Sequence, residues 1–229
     1  MVVALCGCAV AADMQPPIPY LPQSMPEMAG WTGFYVGVNA GGGFGTAKND
    51  FSIAGAPSFA TVDLPQKGAI GGGQIGYNWQ AGPAVFGIEA DLQASSIKGS
   101  VSTPPLPLSA NYSQELPWFG TARGRIGYAQ AGWLLYATGG YAYGRVKTVA
   151  SATAGPATVS VTTNENGNGW TVGGGAEVMI APRWSIKVEY LYVDLGTTTI
   201  SYAFPALPAL NNNTHVTINV ARAGLNFRF

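Results

Sequence analysis

The stretch RWSIKVEYLY, residues 183–192, decides the fold because its side chains alternate between apolar and polar. In an extended strand, alternate side chains point to opposite faces. One face would carry Trp184, Ile186, Val188, Tyr190 and Tyr192, and the other would carry Ser185, Lys187 and Glu189. A helix with the same sequence would scatter its charges around its whole circumference. The stretch therefore predicts a β-strand with one apolar and one polar face.

The same two-residue period recurs along the chain and predicts eight strands. They are expected near residues 31–45, 68–80, 84–97, 116–129, 133–147, 168–181, 184–196 and 215–229. The connections after the second, fourth and sixth strands are tight, whereas the other four are long. This layout predicts an all-β fold, an eight-stranded antiparallel transmembrane β-barrel with short periplasmic turns and four long extracellular loops. Both termini would then lie in the periplasm.

The composition favours a membrane barrel and excludes other classes of protein. The 229 residues are 47% hydrophobic and only 10% charged, well below the roughly 25% charged residues of soluble domains. Eleven basic residues equal eleven acidic ones, so no basic excess attracts nucleic acid. Apolar runs are interrupted within a few positions, whereas a transmembrane helix needs about 20 apolar residues. We therefore predict an integral protein of a bacterial outer membrane, in contact with its lipid.

The N-terminal residues are predicted to lie outside the barrel. Residues 1–12 end in small side chains and have the pattern of an export signal remnant. Residues 13–30 are rich in proline, which cannot donate to a β-ladder, and are predicted to form a periplasmic linker. The barrel is expected over residues 31–229. Cys6 and Cys8 lie within the signal, so the mature chain has no disulfide, and a lipoprotein site at Cys8 is the alternative interpretation.

The six tryptophans are predicted to form an aromatic girdle at each membrane interface, where amphipathic rings concentrate. Those at the turn ends of strands are Trp31, Trp79, Trp133 and Trp184, and those at the loop ends are Trp118 and Trp170. The alternative interpretation, tryptophans in the core of a soluble barrel, would not predict this placement at strand ends. The girdle therefore supports a transmembrane barrel independently of the alternation.

Strand parity places eight ionisable side chains inside the barrel, with equal numbers of acids and bases. The acids are Glu89, Asp91, Glu177 and Glu189, and the bases are Arg123, Arg125, Lys187 and Arg222. An eight-stranded barrel is just wide enough for side chains to fill its interior. Glycine triplets at 41–43, 71–73 and 173–175 would leave room for long inward side chains. We therefore predict a crossed hydrogen-bonded network in the interior in place of a wide channel.

The single histidine and two apolar loop segments bear on binding and catalysis. His215 is the only histidine, so a multi-histidine metal site is excluded and no catalytic residue, metal or cofactor is predicted. The predicted loop segments 101–112 and 201–213 are unusually apolar, which indicates either a partner site or packing over the barrel mouth. A host molecule or haemin is a candidate ligand at these loops, with Tyr202 and His215 as the nearby candidate axial ligands.

Basic residues collect where the predicted strands meet the long loops. They are Lys48, Lys67, Lys98, Arg145 and Lys147. At this height they would pair with phosphates of outer-leaflet lipopolysaccharide. Asp50, Glu115 and Asp194 lie near the same level, so ordinary charges of the barrel rim are the alternative interpretation.

Seven segments together resemble a known family. They are WTGFYVGVNAGGGFG, GGQIGYNWQ, GIEADLQ, WFGTARGRIGYA, LLYATGGYAYG, WSIKVEYLYVDLG and ARAGLNFRF. As a set they resemble the small porin-like outer-membrane proteins of α-proteobacteria, the surface-antigen and haemin-binding group within the OmpA-like eight-stranded barrels. The resemblance covers Trp31 to Phe229 and implies an outer-membrane location. For some members it implies roles in envelope integrity, host contact or haemin binding, and it implies no catalytic residues.

The C-terminal strand carries a further resemblance. Leu225, Phe227 and Phe229 share one face and resemble the terminal signal that the barrel-assembly machinery reads. We therefore expect a structural, non-enzymatic outer-membrane protein that contributes to envelope integrity and surface interaction. A narrow passive porin for small solutes and a haemin-binding surface protein are the alternatives.

Overall fold

The computed structural model describes residues 30–53, 57–102, 109–154, 157–204 and 207–229. These residues form eight antiparallel strands that close into a barrel in sequence order. The strands are β1 (Gly33–Ile53), β2 (Ser58–Ala81), β3 (Ala84–Ser102), β4 (Ser109–Gln130), β5 (Trp133–Ala154), β6 (Ala157–Ala181), β7 (Trp184–Phe204) and β8 (Leu207–Arg228). The predicted fold class is confirmed. The predicted export signal, and the predicted linker up to residue 29, lie outside the described residues.

The closure of the barrel is set by the pairing of the first and last strands. β1 pairs with β8 from Tyr35 opposite Arg228 to Ile53 opposite Leu210. The stagger of the barrel can be read by starting at position 67 of β2 and moving from each residue to its register partner, first on β1 and then around the other strands. This path returns to β2 at position 77, so the stagger is ten residues. This stagger tilts the strands and keeps the interior narrow enough for side chains to fill it. No helix within the described ranges is long and apolar enough to cross a membrane.

The strands extend well beyond the lengths predicted from the sequence. They run from 19 to 25 residues, about twice the 9–11 residues that cross a bilayer. The segments predicted as long loops are largely a continuation of the ladders, as in the β1–β2 pairs from Thr46 opposite Pro65 to Phe51 opposite Ala60. In these extensions the inward side chains stay buried and the outward face meets water, so the outward apolar residues end although the backbone pairing continues.

The three tight turns lie at the same end as the described termini. They follow β2, β4 and β6, as predicted, and in the second of them Ala131 and Gly132 both have positive φ, at 48° and 84°. Two successive residues of this kind are typical of the tight hairpin turns that match strand twist. In an outer-membrane barrel this end would be periplasmic and the strand extensions would be extracellular.

The two faces of each strand follow the predicted phase. Val188 is 56% exposed and points outward, whereas Lys187 is 1% exposed and points into the lumen. Trp118 and Tyr128 of β4, ten residues apart, mark the two ends of the outward apolar band. At about 3.3 Å per residue and a tilt near 40°, this separation is about 25 Å, the height of the apolar band of a membrane barrel.

Five of the six tryptophans lie on the outer surface, and Trp31 corrects the predicted girdle. Trp79, Trp133, Trp170 and Trp184 are exposed and Trp118 is partly exposed. Trp31 is 2% exposed because the chain turns into the lumen before β1 begins. Its backbone N–H donates to Gln80 Oε1 at 2.6 Å, and its ring lies 4.8 Å from the guanidinium of Arg228. Trp118 and Trp170 lie within long strands, and the predicted strand ends at these positions were wrong.

Candidate functional site in the barrel lumen

The lumen is filled by four successive layers of side chains. The inward residues of β7 belong to two of these layers. From the periplasmic side, Lys187 and Glu189 are followed by Leu191, Val193 and Leu195. We name the layers the periplasmic cap, the charge layer, the apolar layer and the outer polar layer. The cap contains Trp31, Val85, Ala129, Leu134 and Tyr136. The apolar layer contains Ala47, Leu64, Ile70, Ile97, Leu116, Phe119, Ala142, Val146, Leu191, Val193, Leu195, Val216, Ile218 and Val220.

The charge layer brings together the eight ionisable residues singled out in the sequence. Its members are Glu89, Asp91, Arg123, Arg125, Glu177, Lys187, Glu189 and Arg222, all buried. Arg123 lies at the centre, where its guanidinium contacts Glu89 and lies 3.0 Å from Asp91 and 3.0 Å from Glu189. Arg222 binds two of the same acids, with Nη2 3.0 Å from Asp91 Oδ2 and Nε 2.8 Å from Glu189 Oε2. Two guanidinium groups thus share one set of carboxylates.

Some of these ion pairs follow from strand register and others cross the lumen. Glu89 lies directly opposite Arg123, and Glu189 lies directly opposite Arg222. Lys187 lies opposite Glu177 in the ladder, yet its ammonium reaches across the lumen to Glu89, at 2.9 and 2.8 Å from the two carboxylate oxygens. The narrow barrel permits this crossing, and it ties β7 to β3.

A second group of contacts lies on the periplasmic side of the charge layer. Arg125 Nη2 donates to Glu177 Oε2 at 2.9 Å, and its guanidinium lies 3.9 Å from the ring centroid of Tyr136. Ser185 Oγ and Asn226 Nδ2 donate to Glu177 Oε1 at 2.6 and 2.8 Å. Glu177 is therefore satisfied by three donors in a site closed to solvent, as a buried carboxylate requires.

Uncharged residues of the charge layer were missed by sequence reasoning, which considered only ionisable groups. Tyr35 OH donates to Glu89 Oε2 at 2.7 Å and accepts from Arg125 Nη1 at 3.1 Å. Thr121 donates to Asp91 Oδ2 at 2.7 Å. The inward parity of Tyr35 and Thr121 was available from the alternation and would have identified both. Their hydroxyl groups complete the hydrogen bonding of acids that ion pairs alone leave partly unsatisfied.

Glycines make room for the large inward side chains. A Cβ atom built on Gly76 would overlap the phenol ring of Tyr35, and one built on Gly175 would lie 2.7 Å from the hydroxyl of Tyr136. These glycines face the lumen on strands adjacent to the tyrosines, so the ring occupies the space that a side chain would need. Gly175 belongs to the triplet 173–175, for which the sequence predicted this kind of role.

The outer polar layer lies above the apolar layer in the strand extensions. Its centre is Asn49, whose Oδ1 accepts from Tyr112 OH at 2.9 Å, Gln114 Nε2 at 3.2 Å and Thr214 Oγ1 at 2.8 Å. Burial raises the pKa of the Tyr112 hydroxyl above its usual range. This layer contains neutral hydrogen-bonding groups, in contrast to the charge layer below.

His215 lies in β8 on the outer face of the extracellular extension. Its Nδ1 is 3.0 Å from Thr197 Oγ1, and its Nε2 is 3.4 Å from Asp194 Oδ2. In a hydrolase triad the hydroxyl meets Nε2 and the carboxylate meets Nδ1, so the two ring nitrogens have the opposite partners here. Tyr202 lies opposite Leu210 in the β7–β8 ladder, and its side chain lies outside the described part. Within that part, no group of three His, Cys, Asp or Glu side chains is arranged to hold a metal ion.

The C-terminal aromatic residues lie at the periplasmic edge of the lipid-facing surface. The ring of Phe227 packs edge to face on Trp184 at 5.1 Å and on Phe229 at 5.4 Å. The backbone N–H of Phe229 donates to Phe34 O at 3.1 Å, which continues the β1–β8 seam to the last residue. Leu225 lies on the same face, opposite Val38 of β1.

Comparisons with known proteins agree on one class. A family model described as an outer membrane protein beta-barrel domain matches residues 20–229. The 31 kDa outer-membrane immunogenic protein of Brucella melitensis is 36% identical over 228 residues, covering 96% of this chain and 93% of that protein. The 22 kDa outer membrane protein of Rhizobium leguminosarum is 32% identical over 173 residues, covering 72% and 64%. The outer membrane protease OmpT of Escherichia coli shares the fold, with a TM-score of 0.59 at 12% identity, covering 86% and 97%.

Proposed function

This chain belongs to the outer membrane protein beta-barrel family, and on this basis we propose that it is a structural, non-enzymatic protein whose sealed barrel supports the outer membrane and presents its strand extensions at the cell surface. The predicted family resemblance and the outer-membrane location are confirmed by the family match and the two relatives. The name of the Brucella relative, an immunogenic protein, supports the surface role.

The filled lumen is the observation that carries the structural proposal. An ion crossing the barrel would meet a charge layer in which acids and bases already bind each other, and then an apolar layer of fully buried side chains. The first layer offers no unpaired charge to replace the hydration of the ion, and the second is lined mainly by apolar side chains that offer it no charge. These two barriers in series favour a structural barrel over the narrow porin.

Planar-bilayer conductance of the refolded, signal-free protein tests the proposal. We expect no stable open-channel current. The matched positive control replaces one member of each layer, Arg123→Ala with Phe119→Ala, and should raise the conductance because both barriers become thinner. Stable, large current steps from the unmodified protein would establish the porin instead.

The non-enzymatic part of the proposal rests on the chemistry of the barrel. The ionisable groups of the lumen are held by each other, so none is positioned toward a substrate space. The Thr197, His215 and Asp194 contacts have the reverse of the triad arrangement. The similarity to OmpT is one of fold and carries no catalytic residues to this chain. Both ring nitrogens of His215 have protein partners, which disfavours this residue as a haemin ligand.

We also propose that Phe229 supplies the terminal aromatic residue that the barrel-assembly machinery recognises. Its exposed ring at the end of the β1–β8 seam supports this role. Deletion of Phe229 should leave export intact and lower the amount of protein in the outer membrane, measured by membrane fractionation and periplasmic proteolysis. The control is Phe34→Ala, which removes a neighbouring exposed aromatic ring and should leave the yield unchanged. A normal yield after deletion of Phe229 would contradict the assignment.

A further inference from the structure

A groove of about 720 Å³ opens on the outer surface of the barrel where the regular β2–β3 pairing ends. The β2–β3 pairing ends at Lys67 opposite Lys98, whereas β3–β4 pairing continues to Ser102 opposite Asn111. In the described part of these strands, no pairing joins 58–66 of β2 to 99–102 of β3. Pro65, which has no backbone N–H to donate to a ladder, lies just beyond the last pair. The groove therefore arises from the strand pairing itself.

The β2–β3 backbone pairing is already irregular just below the groove. The hydroxyl of Ser96 accepts from the backbone N–H of Ala69 at 3.0 Å and donates to its carbonyl at 3.2 Å. A side chain thus replaces the backbone partners that a regular ladder would provide, next to a bulge in β3 between Ala94 and Ile97. The Ala69 backbone is therefore satisfied although it has no regular ladder partner on β3.

Two lysines of the groove lie directly opposite each other. Lys67 and Lys98 are register partners, and both are exposed on the outer face. Like charges in this position destabilise a sheet. The adjacent acid, Glu115, lies opposite both Lys98 and Lys147, and its carboxylate is 3.8 Å from the Lys147 ammonium. Because Glu115 is shared with Lys147, the lysine pair lacks a full counter-charge from the protein.

The excess of positive charge is confined to one side of the barrel. We name as the cationic patch the outward Lys67, Lys98, Arg145 and Lys147, which have Glu115 as their one acidic neighbour in the strand register. On the other side, Lys48 lies opposite Asp63, and Asp194 contacts His215. The asymmetry shows that the patch differs from an ordinary rim of mixed charges.

The cationic patch lies just above the apolar band. Lys67 is opposite Phe44, which is exposed and forms part of the groove wall. Arg145 is opposite Trp118, whose ring packs on Tyr143 at 6.0 Å. Because exposed tryptophan and tyrosine rings mark the level of the lipid headgroups, the ammonium groups lie where lipid phosphates lie.

We propose that this groove binds a phosphate of an anionic outer-leaflet lipid, with Lys67 and Lys98 on either side of the phosphate and an acyl chain along Phe44. One phosphate carries the negative charge that the lysine pair lacks and has enough oxygen atoms to accept from both ammonium groups. The apolar wall at Phe44 favours a lipid over a free anion, because a free phosphate would gain nothing from it. The hydroxyl groups of Ser100 and Ser113 line the same groove and add donors for phosphate oxygens.

Thermal unfolding of the full mature protein in detergent micelles tests the proposal. Bisphosphorylated lipid A should raise the unfolding midpoint by several degrees, and the same lipid without its phosphates should give less than half of this shift. The Lys67→Gln/Lys98→Gln variant should lose at least half of the lipid-dependent shift. The matched control, Lys48→Gln, removes a cation at the same rim outside the groove and should keep the full shift. Lys67→Arg/Lys98→Arg should also keep it, because both charges remain.

A second measurement separates ligand binding from a purely structural role. Without lipid, the Lys67→Gln/Lys98→Gln variant should unfold at the same temperature as the unmodified protein or at a higher one, because the repulsion is removed. A lower midpoint without lipid would show that the lysines stabilise the fold directly and would overturn the proposal. An unchanged lipid-dependent shift in that variant would also overturn it. Inorganic phosphate at millimolar concentration should give no shift, and a shift as large as that of the lipid would overturn the lipid assignment.

Discussion

The charge layer and the apolar layer fill the same lumen with opposite chemistry. The charge layer lies at the level of Val188, midway between the outward rings of Trp184 and Tyr192, and its acids and bases are held by specific ion pairs among five strands. The apolar layer lies above it and consists of side chains that make no directional contacts. Ion pairs specify which strands face each other across the lumen, whereas apolar side chains fill space and add little specificity. The barrel therefore separates the setting of register from the sealing of the lumen.

Arg123→Ala should cause the largest loss of stability, because three buried acids lose one of the two guanidinium groups that they share. Removal of one member of a buried ion network costs about 3–5 kcal/mol, and Arg123 contacts Glu89, Asp91 and Glu189. Urea unfolding in lipid vesicles measures this free energy. Arg145→Ala, on the exposed outer face, is the control and should change it by about 0.5 kcal/mol or less. Equal effects would show that the charge layer does not hold the strands.

Leu191→Ala tests the apolar layer in the same assay. Truncation of a buried leucine costs about 2–5 kcal/mol, depending on how far the cavity collapses, and Leu191 is fully buried. Leu135→Ala, at a lipid-facing position, should cost less because lipid fills the space that the side chain vacates. If the two variants lose the same free energy, the apolar layer is not closely packed.

Val188→Arg tests the outer surface at the level of the charge layer. An arginine at the bilayer midplane costs about 2–4 kcal/mol. Thr199→Arg places the same charge outward in the strand extension, where Thr199 is exposed, and should change the free energy of unfolding by about 0.5 kcal/mol or less. Similar losses in both variants would mean that lipid covers the extension as well as the band.

Gly76→Ala should give the smallest effect of the four, about 1–3 kcal/mol from overpacking. The added methyl group would overlap the ring of Tyr35 and displace its hydroxyl from Glu89 and Arg125. Gly73→Ala is the control, because its Cβ would meet only ordinary contact distances, with Gly37 O nearest at 3.6 Å. The two variants are compared by thermal unfolding, and a stable Gly76→Ala protein would show that Tyr35 can move without loss.

The alternation of the sequence was sufficient to predict the barrel and the inward acids and bases, because lipid outside and charge inside impose a strict two-residue period. It could not predict that Lys187 binds Glu89 in place of its register partner Glu177, since that choice depends on the width of the lumen. It also missed the apolar layer, where residues such as Leu191 and Ile218 face inward among polar or aromatic outward neighbours. Around the outer end of the apolar band and beyond it, apolar side chains face the lumen and polar ones face out, the reverse of the pattern within the band.

Trp31 shows a different limit of the sequence. Its position at the start of a strand is shared with the outward Trp133 and Trp184, and nothing local distinguishes it. Its burial depends on Gln80 and on Arg228, which lie far away along the chain. The ladders above the membrane were missed for a related reason, because pairing of backbone groups needs no apolar face.

The strand extensions have a consequence for how partners meet the cell surface. From Trp118 to the end of the described ladder at Ser109, nine residues of β4 place the strand ends about 20 Å above the apolar band. Ordering a flexible chain costs about 1–2 kcal/mol per residue fixed in backbone entropy alone, and residues already paired in a sheet have met that cost during folding. An antibody or receptor that binds the sides of this rigid tube should therefore associate quickly and recognise the folded protein, and it should lose recognition when the chain is denatured.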